Sequence, residues 1–135
     1  MKIAHYGTAI VAMHVLVHVL HGFAHNEIPV SLSLLQGLFV GVVVILAPII
    51  AAGLLWTPFY RIGNWLLLGS MAGSFLSAIY NHHLVISPDH VSQVSFESWG
   101  LLFQVTAYLM LIIDGLGCWI SGLALRTNQP TEKAI

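Results

Sequence analysis

Apolar residues fill this chain in four long runs, at about 3–25, 32–56, 63–86 and 98–125, and polar residues gather in the breaks between them. Each run reaches the ~20 residues that an α-helix needs to cross the hydrocarbon core of a bilayer. Asn26-Glu27-Ile28-Pro29 closes the first run, and Ser31 reads as the N-cap of the second. Pro48 predicts a kink inside that second helix, because proline has no N–H to give the preceding turn, and Thr57-Pro58 ends it. Phe59 to Ile62 makes a short aromatic and basic turn, while Ser87-Pro88-Asp89-His90 opens a longer one that runs to Glu97. Short connections favour antiparallel neighbours. The pattern therefore predicts an all-α, up-down-up-down four-helix membrane bundle in one domain, residues 1–126, followed by a disordered polar tail, 127–135.

Composition agrees. Of 135 residues, 58% are hydrophobic and 7% charged, against about 25% charged in soluble domains. The formal net charge is −1 with four Lys or Arg, which leaves no basic surface for nucleic acid. The lipid bilayer is the partner this composition demands; a homo-oligomer or a larger membrane complex is the protein partner it allows. Lys2, Arg61, Arg126 and Lys133 all fall on one side of a four-span topology, so the positive-inside bias places both termini in the cytoplasm. The expected location is a bacterial inner (plasma) membrane, with Glu27, Asp89, His90 and Glu97 facing outward. The lone Cys118 lies in an apolar run and offers neither a disulfide nor a thiolate metal site.

The chemistry that remains is eight histidines. His14, His18, His21 and His25 follow one another at intervals of four, three and four, so at about 100° per residue their rings climb one face of a helix within an arc of roughly 60°. Polar side chains are costly inside a bilayer and turn toward the bundle interior. A rise of about 1.5 Å per residue puts His14 near the midplane and His21 and His25 near the outer boundary. His82 and His83 enter the third run level with His21, Gln36 enters the second at a similar level, and Gln104 in the fourth lies near the level of His18. Asp114, the one carboxylate expected inside a span, is close to His14 in depth. Small residues at Ser70, Gly73, Ser74, Ser77 and Asn81, and at Gly115, Gly117, Ser121 and Gly122, predict close approach of the third and fourth helices to their neighbours.

Imidazole binds zinc, copper, iron and nickel, and an i, i+4 pair can hold one ion from one helix face. The leading expectation is a cofactor site in the outer half formed by His18 and His21 with at least one of His82 and His83. The wider set of candidate metal ligands is His14, His18, His21, His25, His82, His83 and His90. His82 and His83 project about 100° apart, so one of them is expected to point inward. Gln36, Asn81 and Gln104 are the expected outer-shell acceptors for ligating imidazoles. The cofactor is a transition-metal ion (Cu, Fe or Zn) or haem b, serving electron transfer, metal handling or an oxidative step. Pairing of His14 with Asp114 would extend the ladder inward as a proton path, which gives a second reading as a proton-transfer or quinone-linked protein. A third reading is a non-catalytic accessory subunit of a larger membrane complex, its polar residues locking it to its neighbours.

Overall fold

A computed structural model describes residues 2–28 and 30–127. These residues are all-helical, and four of the helices are long and apolar enough to cross a membrane. They are α1 (Lys2–Glu27), α2 (Leu34–Leu54), α3 (Tyr60–Leu84) and α4 (Trp99–Thr127). A 3-10 turn, Val91–Gln93, lies in the connection between α3 and α4. Thr127 is the last residue of α4, and the rest of the tail expected to be disordered lies outside the described residues.

The N-cap of α2 is Ser33 and not Ser31. Ser33 Oγ accepts from the Gln36 N–H at 3.3 Å, and Gln36 Oε1 accepts from the Ser33 N–H at 2.8 Å. This reciprocal capping box satisfies two backbone donors at once, which Ser31 has no partner to match. At the other end Thr57 Oγ1 donates to the Leu54 carbonyl at 2.8 Å and accepts from the Phe59 N–H at 3.1 Å, closing α2 and starting the turn.

Pro48 acts through the hydrogen-bond register. Val40–Leu46 widens into a π-helix, and Pro48 has no N–H for the carbonyl four residues earlier, that of Val44. The wide turn re-spaces the ladder just before this gap: the Ala47 N–H reaches back five residues to the Val42 carbonyl. α3 also ends in a wide turn, Ile79–Leu84, where the Val85 N–H reaches back five residues to the Tyr80 carbonyl at 2.9 Å. Within it His82 is buried and His83 half-buried.

The core lies where α1, α3 and α4 meet. Leu67, Met71, Phe103 and Ala107 are wholly buried there. Gly117 lets α4 reach α3, since a Cβ at this position would stand 2.8 Å from Met71 Cγ. Large apolar side chains such as Leu16, Leu76, Ile112 and Trp119 cover the outside, as a lipid-facing surface requires. α2 packs through its second half, with Pro48 and Ala51 buried. None of Leu34–Phe39 is buried, and Leu34 and Leu35 are 80% and 78% exposed. The first half of α2 thus stands off α1 and α3 and leaves a cavity of about 1220 Å³ between them.

Candidate metal centre

His21 and His25, one turn apart on α1, face the ends of α3 and α4. The wide last turn of α3 supplies His82, and the chain just beyond it supplies Asp89. The ligand atoms of His21, His25 and His82 lie within 4.8 Å of one another. The ring of His21 is centred 4.8 Å from that of His25 and 4.8 Å from that of His82. Phe103 of α4 packs beneath, 4.6 Å from His21 and 5.4 Å from His82.

The hydrogen-bond partners decide where each imidazole carries its proton. Thr106 Oγ1 gives its own proton to the Leu102 carbonyl at 2.6 Å, so it accepts from His21 Nδ1–H at 2.8 Å. A carbonyl can only accept: His25 Nδ1–H therefore faces the Val30 carbonyl at 3.4 Å, and His82 Nδ1–H the Asp89 carbonyl at 3.0 Å. Neutral imidazoles held through Nδ1–H keep their lone pairs on Nε2. His21 Nε2 is buried with no hydrogen-bond partner. His25 Nε2 stands 3.2 Å from Asp89 Oδ1, and the same oxygen is 3.2 Å from His82 Nδ1. A carboxylate oxygen can only accept, so without a metal His25 Nε2 must carry a proton to make this contact, and a bound cation would take that proton's place.

Burial pushes the Asp89 carboxyl upward, but the contacts from His25 and His82 outweigh it and hold the group well below the ordinary carboxylate range. Asp89 is an anion at neutral pH. Because its folded-state pKa is depressed, its stabilising contribution is fully present above the unfolded value of about 3.9 and is lost only as pH falls through the lower folded value.

Deeper on α1 a second group gathers, His14, His18 and Asp114, whose ligand atoms also lie within 4.8 Å of one another. Here the nitrogens are committed. His14 Nε2–H donates to the Val44 carbonyl at 2.7 Å, to which Pro48, four residues on, has no N–H to offer. His14 Nδ1 meets Asp114 Oδ1 at 2.6 Å, with both side chains wholly buried. One proton lies between them, so the pair is imidazolium with carboxylate or imidazole with carboxylic acid. His18 Nδ1–H donates to the His14 carbonyl at 2.9 Å, and Ser74 Oγ–H reaches His18 Nε2 at 3.3 Å. In this group only Asp114 Oδ2 is buried without a hydrogen-bond partner.

The single outer-half site expected around His18, His21 and His82 or His83 is thus divided. His18 joins the deeper group, while His21 and His82 meet His25. His82 is the member of the adjacent pair that turns inward. His83 packs beside Tyr108, ring centres 5.0 Å apart, with its Nε2 buried and without a hydrogen-bond partner. His90 fastens its own loop: Nδ1 accepts from the Ser92 N–H at 3.1 Å, and Nε2–H donates to the His83 carbonyl at 3.2 Å. Neither His83 nor His90 is in either cluster of ligand atoms. The three amides expected around the imidazoles bond elsewhere. Gln36 completes the α2 cap, Asn81 Nδ2 donates to the Ser77 carbonyl and hydroxyl, and Gln104 Nε2 donates to the Val94 carbonyl. Thr106 and the Val30 and Asp89 carbonyls hold the imidazoles instead. Thr106 was findable from the sequence, since it precedes Asp114 by two steps of four and so shares its helix face.

No family model, curated protein or solved structure matches this chain, so its function must be argued from the site itself. Two buried His/Asp groups are close enough to hold a metal ion. The outer one, three imidazoles with the Asp89 carboxylate against two of them, has the donor set that zinc, copper and iron accept.

Proposed function

We propose that this is a four-span, up-down-up-down membrane protein with both termini cytoplasmic, and that it binds one transition-metal ion through His21, His25, His82 and Asp89 near the outer surface. The observation that carries this reading is the buried, unpartnered His21 Nε2. Its tautomer is fixed by Thr106, and its lone pair has no protein donor to meet. Three imidazoles and a carboxylate suit Zn(II), Cu(II) or Fe(II). Haem b fits less well: the His21 ring is 4.8 Å from both of its histidine neighbours and 4.6 Å from Phe103, which leaves no flat slot for a macrocycle against it. The antiparallel run of α1 and α2 that the up-down order requires is supported by His5, near the start of α1, packing edge-on against Trp56, just past the end of α2, with ring centres 4.7 Å apart. The cytoplasmic assignment rests on Arg61 and Arg126 together with the terminal lysines.

Elemental analysis of protein purified in mild detergent, followed by titration of the metal-stripped protein with Zn(II), Cu(II) and Fe(II), tests the metal reading. One tightly held ion per chain is expected. Protein that takes up none of the three overturns the reading. A reporter fused at Asp89 tests the orientation, and a cytoplasmic signal there contradicts it.

A further inference from the structure

The cavity beside α2 is larger than the metal centre needs. At about 1220 Å³ it exceeds the upper end of the usual small-molecule range, about 1,000 Å³. Leu35, Phe39, Val40, Leu76 and Ile79 give it an apolar wall. Polar groups from all its walls reach it, among them Gln36 of α2 and Asn81 of α3, and the histidines of α1 with their partners lie at two levels. His25, His82 and Asp89 form the upper level and His18 with Ser74 the lower, with His21 between them and His18 about 10 Å below His25 by the rise of α1. Gly22 also lines the space, and a Cβ there would meet nothing within 4 Å. No lysine or arginine is among the lining residues, so no basic side chain is there to receive a phosphate or carboxylate head group.

We propose that this cavity binds a membrane-soluble quinone or quinol, its ring between the two polar levels and its isoprenoid tail along the apolar wall of α2. The proposal rests on the metal reading only for the chemistry at the upper level. A neutral, flat ring with oxygens at opposite ends matches polar groups set about two turns apart, since each oxygen also needs a hydrogen-bond length to reach its partner. At the lower end, Ser74 Oγ–H donates to a quinone carbonyl, or His18 Nε2 accepts from a quinol hydroxyl once Ser74 turns away. A long-chain alcohol has one polar end and can serve only one level. The entrance is supplied by the first half of α2, whose exposed Leu34 and Leu35 leave the space open along the helix.

The test titrates metal-loaded full-length protein in detergent with decylubiquinone and, separately, with farnesol, following bound ligand by calorimetry. Wild type should bind one decylubiquinone per chain and hold farnesol at least about tenfold more weakly. Gly22→Leu fills the space without touching a metal ligand, and Leu35→Trp narrows it from the α2 side. Each should weaken quinone binding at least about tenfold with metal content unchanged. Equal affinity for farnesol, or undiminished quinone binding in both variants, overturns the proposal. Quinone binding by a protein that takes up no metal upholds the cavity assignment and sinks the metal reading; metal uptake without quinone binding does the reverse.

Discussion

Two histidine pairs with the same i, i+4 spacing sit one above the other on α1, and they reach opposite states. In the deeper pair both nitrogens of His14 and both of His18 have a hydrogen-bond partner within 3.3 Å. In the outer pair each ring is held by one nitrogen, and the other faces its neighbours: His21 Nε2 has no partner, and His25 Nε2 has an anionic oxygen. Residue type and spacing are identical, so the difference comes from what the surrounding helices present. Opposite His14 they present the Val44 carbonyl and a carboxyl on α4. Opposite His21 they present one hydroxyl whose proton is already spent on its own helix. The lesson is that an imidazole becomes available to a metal when its environment satisfies one nitrogen and leaves the other, and becomes a structural bolt when it satisfies both.

Stability is where the two pairs should differ most. Removing one partner of a buried charged or proton-sharing pair costs about 3–5 kcal/mol, so Asp114→Ala should destabilise the protein by that order in a detergent unfolding titration and leave metal stoichiometry unchanged. A variant that loses metal without losing stability would show that Asp114 belongs to the metal site. His14→Ala with Asp114→Asn sharpens the same point: a double-mutant cycle should return a coupling of about 0.5–3 kcal/mol, and strictly additive effects would argue against pairing.

Thr106→Val should act on the outer pair alone. It removes the oxygen that orients His21, and losses of this kind weaken metal binding about 10–100-fold. An unchanged dissociation constant in equilibrium dialysis would mean that Thr106 does not set the tautomer.

The smallest expected effect concerns pH. Between pH 7 and pH 5 protons compete for the imidazole lone pairs, so metal occupancy should fall. Asp89, with its depressed pKa, should hold its loop unchanged across the same interval, because its contribution is lost only below about 3.9. Hydrogen exchange of residues 85–98 in metal-free protein checks this, and loosening of the loop near pH 6 would contradict it.

Much of this could be read from the sequence because membrane spans impose strong periodicity and length. Four apolar runs gave four helices, and counting depth along them placed His14 level with Asp114 and His21 level with His82. Depth, however, says nothing about azimuth. Gln36, Asn81 and Gln104 have the right heights, yet they bond to a cap, to their own helix and to a loop. The division of the ladder was also hidden, because it depends on backbone groups. The Val44 carbonyl lies in the wide turn before Pro48, and the Val30 and Asp89 carbonyls come from connections whose path no periodicity dictates. Pro48 did signal a break in α2, which takes the form of a wide turn ahead of it. The S-x-x-Q signature at Ser33 and Gln36 was present in the chain and identifies the true cap more directly than the apolar pattern does.

The central claim is that the outer histidines hold a metal and the deeper ones do not. X-ray absorption at the edge of the bound metal, on wild type, His21→Ala and His14→Ala at matched protein concentration, tests it most directly. The account predicts one ion per chain in wild type and in whatever His14→Ala protein folds, with imidazole scattering at about 2.0–2.1 Å for zinc, and no ordered site in His21→Ala. Full occupancy in His21→Ala, or loss of the ion from folded His14→Ala alone, would contradict it.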